Sequence, residues 1–298
     1  MTDELRGQVA VVAGGTRGAG RGIAVALGEK GATVYVTGRT SRMSGPSPMN
    51  RPETIEDTAE LVTAAGGAGI PVRVDHSDSA AVADLAGRIR AEQGGRLDIL
   101  VNDIWGGDGM VDWERTFWEQ DLAQGLAVLR QAIETHIITS YHLVPLMVAR
   151  ENGLVVEITD GVEPGYRGSF FYDLAKAGVI RLAVAQAGEL KSKGIAAVAV
   201  TPGFLRSEAM LDHFGVTEAN WRDGVAKDKD FVASETPAYV GRAVAALAAD
   251  RERARFSGQA LSSWGLSEVY DFADADGTRP HWGRHFAAAY PNGFTPGE

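Results

Sequence analysis

No cysteine occurs among the 298 residues, which removes disulfide scaffolds, thiolate catalysis and sulfur-ligated zinc or iron–sulfur sites. A basic balance is also missing. Lys and Arg number 29 against 39 Asp and Glu, a net charge of −10, which is unsuited to a nucleic-acid partner. Long apolar runs are absent; the stretch 195–200 is far too short to span a bilayer. The opening Met1-Thr2-Asp3-Glu4-Leu5 lacks the basic start and apolar stretch of a signal peptide. These absences predict a soluble, cytoplasmic protein with no membrane partner. Neither GxSxG nor HExxH occurs, so serine-hydrolase and zincin chemistry have no anchor. His281 and His285 stand four apart, but the glycine between them and the neighbouring Arg284 argue against a metal pair, and no metal site is expected. The 37 glycines follow no G-X-Y period.

What is present is an alternation of short β-branched runs with longer helical patterns. Strands are expected over 9–13, 33–37, 72–74, 97–101, 154–158, 196–200 and 259–261, and helices over 17–29, 54–65 and 80–91. That order points to βαβ units, right-handed crossovers and a parallel sheet. The expected architecture is one α/β domain over 1–298, a doubly wound Rossmann-type fold with seven parallel strands and helices on both faces. Its core would run over 6–265, with an apolar substrate lid at 204–235 and an aromatic extension at 266–298. That extension must pack on a lid or on a partner subunit.

After the first strand comes Ala13-Gly14-Gly15-Thr16-Arg17-Gly18-Ala19-Gly20, leading straight into a helix. Such a turn brings backbone N–H groups close to a pyrophosphate at a helix N-terminus, with Gly14, Thr16, Arg17, Gly18, Ala19 and Gly20 as its contacts. At the end of the second strand, Gly38-Arg39-Thr40-Ser41-Arg42 lacks the acid that would bond a ribose 2′-hydroxyl. Arg39 and Arg42, with Arg17, could instead surround a 2′-phosphate, with Thr40 beside them, so the expected cofactor is NADP(H). Asp75, followed by His76, could accept from an adenine amino group or cap the next helix.

Tyr172 and Lys176 are four residues apart at the start of a helix after the fifth strand, hence on one face. An ammonium beside a phenol favours the phenolate and suits general acid/base work at an oxygen receiving hydride at its carbon. Taken with the glycine turn upstream, the chain resembles the short-chain dehydrogenase/reductase superfamily over roughly 6–265. Gly14, Gly18 and Gly20 match its GxxxGxG turn, Asp75 its adenine-contacting acid, and Asn102 the first Asn of its Asn-Asn-Ala-Gly strand end. Tyr172 and Lys176 match its catalytic pair. Pro202-Gly203 followed by Ser207 matches its nicotinamide-contacting PGxxxT segment. Phe117-Trp118-Glu119 and the stretch 270–277 suggest a divergent NADP-type subgroup similar to the member-1 dehydrogenase/reductase proteins.

The resemblance implies nicotinamide-dependent carbonyl/alcohol chemistry on a small, fairly apolar molecule. It also implies a homodimer or homotetramer, built on the apolar helices 132–148 and 174–188. Departures accompany it. Asp103-Ile104-Trp105 follows Asn102, the helix asparagine falls at about Ala132, and the catalytic serine falls on Thr159 or Asp160. Either residue could replace that serine. An acid there also admits a cationic imine as substrate, and the two losses admit an NADP-binding sensor without turnover.

Overall fold

The computed structural model describes residues 3–44, 50–162 and 165–291. Seven parallel strands form one sheet in the order β3-β2-β1-β4-β5-β6-β7. They are β1 (Val9–Ala13), β2 (Thr33–Gly38), β3 (Ala68–Arg73), β4 (Ile99–Asn102), β5 (Gly153–Ile158), β6 (Ile195–Thr201) and β7 (Ala260–Ser262). β1, β4, β5 and β6 are buried along their whole length, as apolar strands covered on both faces must be.

Side chains alternate between faces, which splits the core in two. Val12, Val34, Val101 and Val156 face α1 (Gly18–Glu29), α2 (Ile55–Ala64) and α8 (Pro237–Ala249). Val11, Tyr35, Leu100 and Val155 face α3 (Ser79–Glu92), α5 (Thr135–Val148) and α6 (Phe170–Leu190). The doubly wound architecture expected from the sequence is therefore the one found. The α1–α8 crossing needs Gly22, where a Cβ would stand 2.0 Å from the Pro237 carbonyl oxygen of α8.

β3 begins four residues earlier than the β-branched run suggests. Ala68, Gly69 and Pro71 are poor strand formers, but this is an edge strand, where a proline's missing N–H costs no ladder bond. Before α5 come α4 (Leu122–Leu129) and a wide π-turn at Arg130–Glu134. Beyond β6 lie α7 (Glu208–Phe214), 3-10 stretches at Glu218–Ala226 and Lys229–Ala233 before α8 and at Arg253–Phe256 after it, and, past β7, α9 (Ser263–Tyr270) and α10 (Trp282–Ala289).

The extension after 265 packs on its own chain. His285 bonds the Asp230 carboxylate at 2.8 Å, Tyr290 donates to the same carboxylate, and the Trp282 ring meets Phe204 at 5.8 Å. Phe294 lies outside the described residues. No helix among the described residues is long and apolar enough to cross a membrane.

Candidate active site

A cleft of about 1030 Å³ opens at the C-terminal ends of β1 and β4, where the strand order reverses. The glycine turn forms one wall. Gly14 has φ +88°, and a Cβ there would stand 2.2 Å from the Asp103 carbonyl oxygen, so only glycine lets β1 and the β4 end close up. Thr16, Arg17, Gly18 and Ala19 line the cleft, and the α1 N-terminus points into it. Gly20 lies just behind. The Glu208 carboxylate takes the Gly18 N–H at 2.8 Å and pairs with Arg21 at 2.9 Å, fastening α7 to the turn.

Arg39 and Thr40 also line the cleft, and among the described residues no salt bridge ends on Arg39. Arg42 does not join them. Its guanidinium turns to α2, where it pairs with Asp57 and Glu60, drawn by the acidic first turn of that helix. Arg51 occupies the wall instead, paired with Glu53 and Asp212, a residue that the loop sequence gave no reason to place there.

Asp75 lines the cleft and accepts from the Ser77 N–H and hydroxyl through one oxygen. The cap of α3 is Asp78, not Asp75. His76 is buried between the Thr37 and Thr139 hydroxyls, 2.8 Å from each, and burial pushes its pKa down to about 3, so it is neutral.

Asn102 is buried behind the cleft and donates to Ser140 and Glu157, both at 3.0 Å. Glu157 also meets His136 at 2.6 Å, and the second His136 nitrogen lies 3.1 Å from the Ile104 carbonyl oxygen. The buried polar chain thus holds the backbone that presents Asp103, Ile104 and Trp105.

At the far end, the Tyr172 hydroxyl donates to Asp160 Oδ2 at 2.9 Å. Burial, then the Asp160 charge, then that hydrogen bond hold the phenol well above its usual range. Trp105 stands edge-on to the Tyr172 ring at 5.7 Å, and Trp113 tilts against it at 4.9 Å. Lys176 Nζ sits 4.3 Å above the Trp105 ring, and burial lowers its pKa. Thr159 lines the same end, but its hydroxyl donates to the Lys176 carbonyl at 2.8 Å and so faces the helix backbone. Of the two residues expected in place of the serine, Asp160 is the one that meets the tyrosine.

Pro202, Gly203 and Ser207 close the cleft from the β6 side. Gly203 donates at 2.9 Å to the buried Glu235, whose second oxygen has no hydrogen-bond partner among the described residues. Burial raises the Glu235 pKa to about 8. The folded state then holds a proton that the unfolded carboxylate releases near pH 4.5, so this contribution to stability is complete below 4.5 and is lost as pH rises to 8. Glu235→Gln, which needs no proton, should lose about 1.4 kcal/mol less stability per pH unit over that window. Urea unfolding of both proteins at pH 5 and pH 8 measures the difference; equal slopes would contradict it.

The sequence profile of the short chain dehydrogenase family matches residues 8–214. The chain belongs to the short-chain dehydrogenase/reductase family. It is similar to the dehydrogenase/reductase SDR family member 1 of Mus musculus, 34% identical over 284 residues, 93% of this chain and 86% of that protein. A 3-oxoacyl-(acyl-carrier-protein) reductase of Staphylococcus aureus is 27% identical over 78% of this chain and 92% of its own. The crystal structure of a short chain dehydrogenase from Mycobacterium thermoresistibile superposes with a TM-score of 0.76 at 24% identity, covering 94% of this chain and 92% of that one, a likeness of fold.

In this short-chain dehydrogenase/reductase Ala132, about where the resemblance places the helix asparagine, is buried against Phe171 and Ala175, and Gln131 and Thr135 of the π-turn region reach the cleft instead. Asp103 is packed between the glycine turn and Lys176, and burial raises its pKa to about 7. Asp108 lies 3.4 Å from Arg17 and accepts from the Trp105 indole. Asp108 follows β4 with no motif to announce it, whereas Asp103 stands where the resembling strand end continues after Asn102.

Proposed function

We propose that the protein is an NADP(H)-dependent carbonyl reductase with Tyr172 as its general acid. The observation that carries this reading is the meeting, at one end of the cleft, of a tyrosine that keeps its proton with Lys176 and the Pro202-Gly203 wall. The other end offers the glycine turn and Arg39. The residues fit the cofactor. The α1 N-terminus and glycine turn suit a pyrophosphate, and Arg39, outside any salt bridge among the described residues, suits a 2′-phosphate. Bound dihydronicotinamide supplies two electrons as hydride to the carbonyl carbon.

Tyr172 donates its proton to the carbonyl oxygen, and Lys176 beneath it holds the positive charge that offsets the resulting phenolate. Trp105 and Trp113 exclude water from this end. Burial and Asp160 hold the phenol protonated at neutral pH, the form that can act as the acid in reduction. NADPH oxidation measured across a panel of ketones tests the reading. NADPH binding with no turnover on any of them would favour the sensor.

We also propose that two copies of the chain associate through α5 and α6, where Ile137, Tyr141 (75% exposed) and Leu174 stand out to solvent. Ile137→Glu with Tyr141→Glu should then halve the mass seen by light scattering. A single-chain mass for the unmodified protein would contradict the association.

A further inference from the structure

The reacting end of the cleft contains a carboxylate that nothing in the reduction of a neutral ketone calls for. Asp160 lies 2.9 Å from the hydroxyl that must give up a proton, so its negative charge opposes the oxyanion forming there. Nor does it serve as half of an ion pair, since among the described residues no salt bridge ends on it. Arg167, the nearest guanidinium in sequence, donates instead to the Asp160 backbone carbonyl at 2.6 Å and pairs with Asp173 at 3.0 Å. Lys176 Nζ feels the Asp160 charge but forms no salt bridge with it among the described residues; it lies on ring faces, 4.3 Å from Trp105 and 5.5 Å from Tyr172. Asp108 is already matched by Arg17.

The Tyr172 hydroxyl meets this carboxylate at 2.9 Å, and the Trp105 and Trp113 rings pack on the Tyr172 ring. A carboxylate beside aromatic rings is an arrangement that binds an alkylated ammonium, through charge on one side and a ring quadrupole on another.

We propose that the substrate is an amino ketone, with its ammonium close to the carbonyl and seated between Asp160 and the Trp113 ring, clear of the Trp105 face that Lys176 covers. Asp160 is then a specificity-determining residue. The inference rests on the carbonyl-reductase reading above. The substrate's charge cancels that of Asp160 as the oxyanion forms, which removes the electrostatic objection to an acid beside Tyr172. Hydride enters at the carbonyl carbon, the C=O π pair moves to oxygen, and oxygen takes the Tyr172 proton. The ammonium stays unchanged, so an amino alcohol and oxidised nicotinamide leave. The retained proton on Tyr172 favours this class over a preformed iminium, whose nitrogen needs no proton on accepting hydride.

Two nearly isosteric ketones supply the test, phenacyl trimethylammonium and its neutral carbon counterpart, neopentyl phenyl ketone. Calorimetric binding to the protein with NADP⁺, where no reduction proceeds, is read beside kcat/KM with NADPH. The cation should bind and turn over about 10- to 100-fold better in the unmodified protein. Asp160→Asn and Asp160→Ser should each bring that ratio to about one and raise turnover of the neutral ketone, while Asp160→Glu keeps a preference for the cation. A ratio near one in the unmodified protein, or one unchanged in both neutral variants, would overturn the proposal. So would reduction of an N-methyl iminium with neither ketone reduced. If neither ketone nor iminium is reduced, the carbonyl-reductase reading fails, and the calorimetric ratio still decides whether Asp160 selects a cation.

Discussion

Tyr172→Phe is expected to lower kcat for NADPH-driven ketone reduction by roughly 10²- to 10⁴-fold, the usual worth of a positioned general acid. The ring stays between Trp105 and Trp113, so packing is kept and only the proton donor goes. NADPH affinity should therefore remain within about twofold, as fluorescence titration would show. The unmodified enzyme should also keep its rate far into the alkaline range, since loss of the Tyr172 proton ends catalysis and burial and Asp160 hold that proton above pH 10. Asp160→Asn removes one of those causes and should move the alkaline limb to lower pH. A kcat unaffected in Tyr172→Phe would mean that another group delivers the proton.

Arg39→Ala is expected to weaken NADPH binding by about 10- to 100-fold, the equivalent of one or two charge-assisted hydrogen bonds to a phosphate. NADH, which lacks the 2′-phosphate, should lose little. Arg42→Ala should not discriminate, because Asp57 and Glu60 hold that guanidinium away from the cleft. Titrating both nucleotides against both variants measures this, and equal losses for NADPH and NADH in Arg39→Ala would refute the 2′-phosphate assignment.

The contrast between Arg39 and Arg42 shows how far the sequence could be read. Strand alternation, the glycine turn and the Tyr172–Lys176 spacing are local patterns, and each resolves into the element expected. Arg42 is decided by partners 15 and 18 residues away, on a helix whose orientation no local pattern specifies. The same applies to Thr159 and Asp160, adjacent residues that either reading could place at the tyrosine. What separates them is the Lys176 carbonyl, which claims the threonine hydroxyl and leaves the aspartate facing the cleft.

Edge strand β3 is blurred for another reason, because a strand paired on one side only tolerates glycine and proline that a central strand excludes. Asp108 and Arg51 were invisible because loop residues acquire meaning only from the walls brought against them. The aromatic tail gave two candidate supports, and its path over Phe204 and Asp230 is a tertiary fact.

Hydride transfer from a reduced, phosphorylated nicotinamide to a carbonyl carbon is the central claim, and isotope tracing reads it directly. NADPH carrying deuterium at nicotinamide C4 is incubated with the enzyme and a ketone that it turns over, and the alcohol is analysed by mass spectrometry. The account predicts one deuterium on the carbinol carbon for each NADPH consumed, and none above background with Tyr172→Phe over the same interval. NADPH consumption with no deuterium in the alcohol would contradict it.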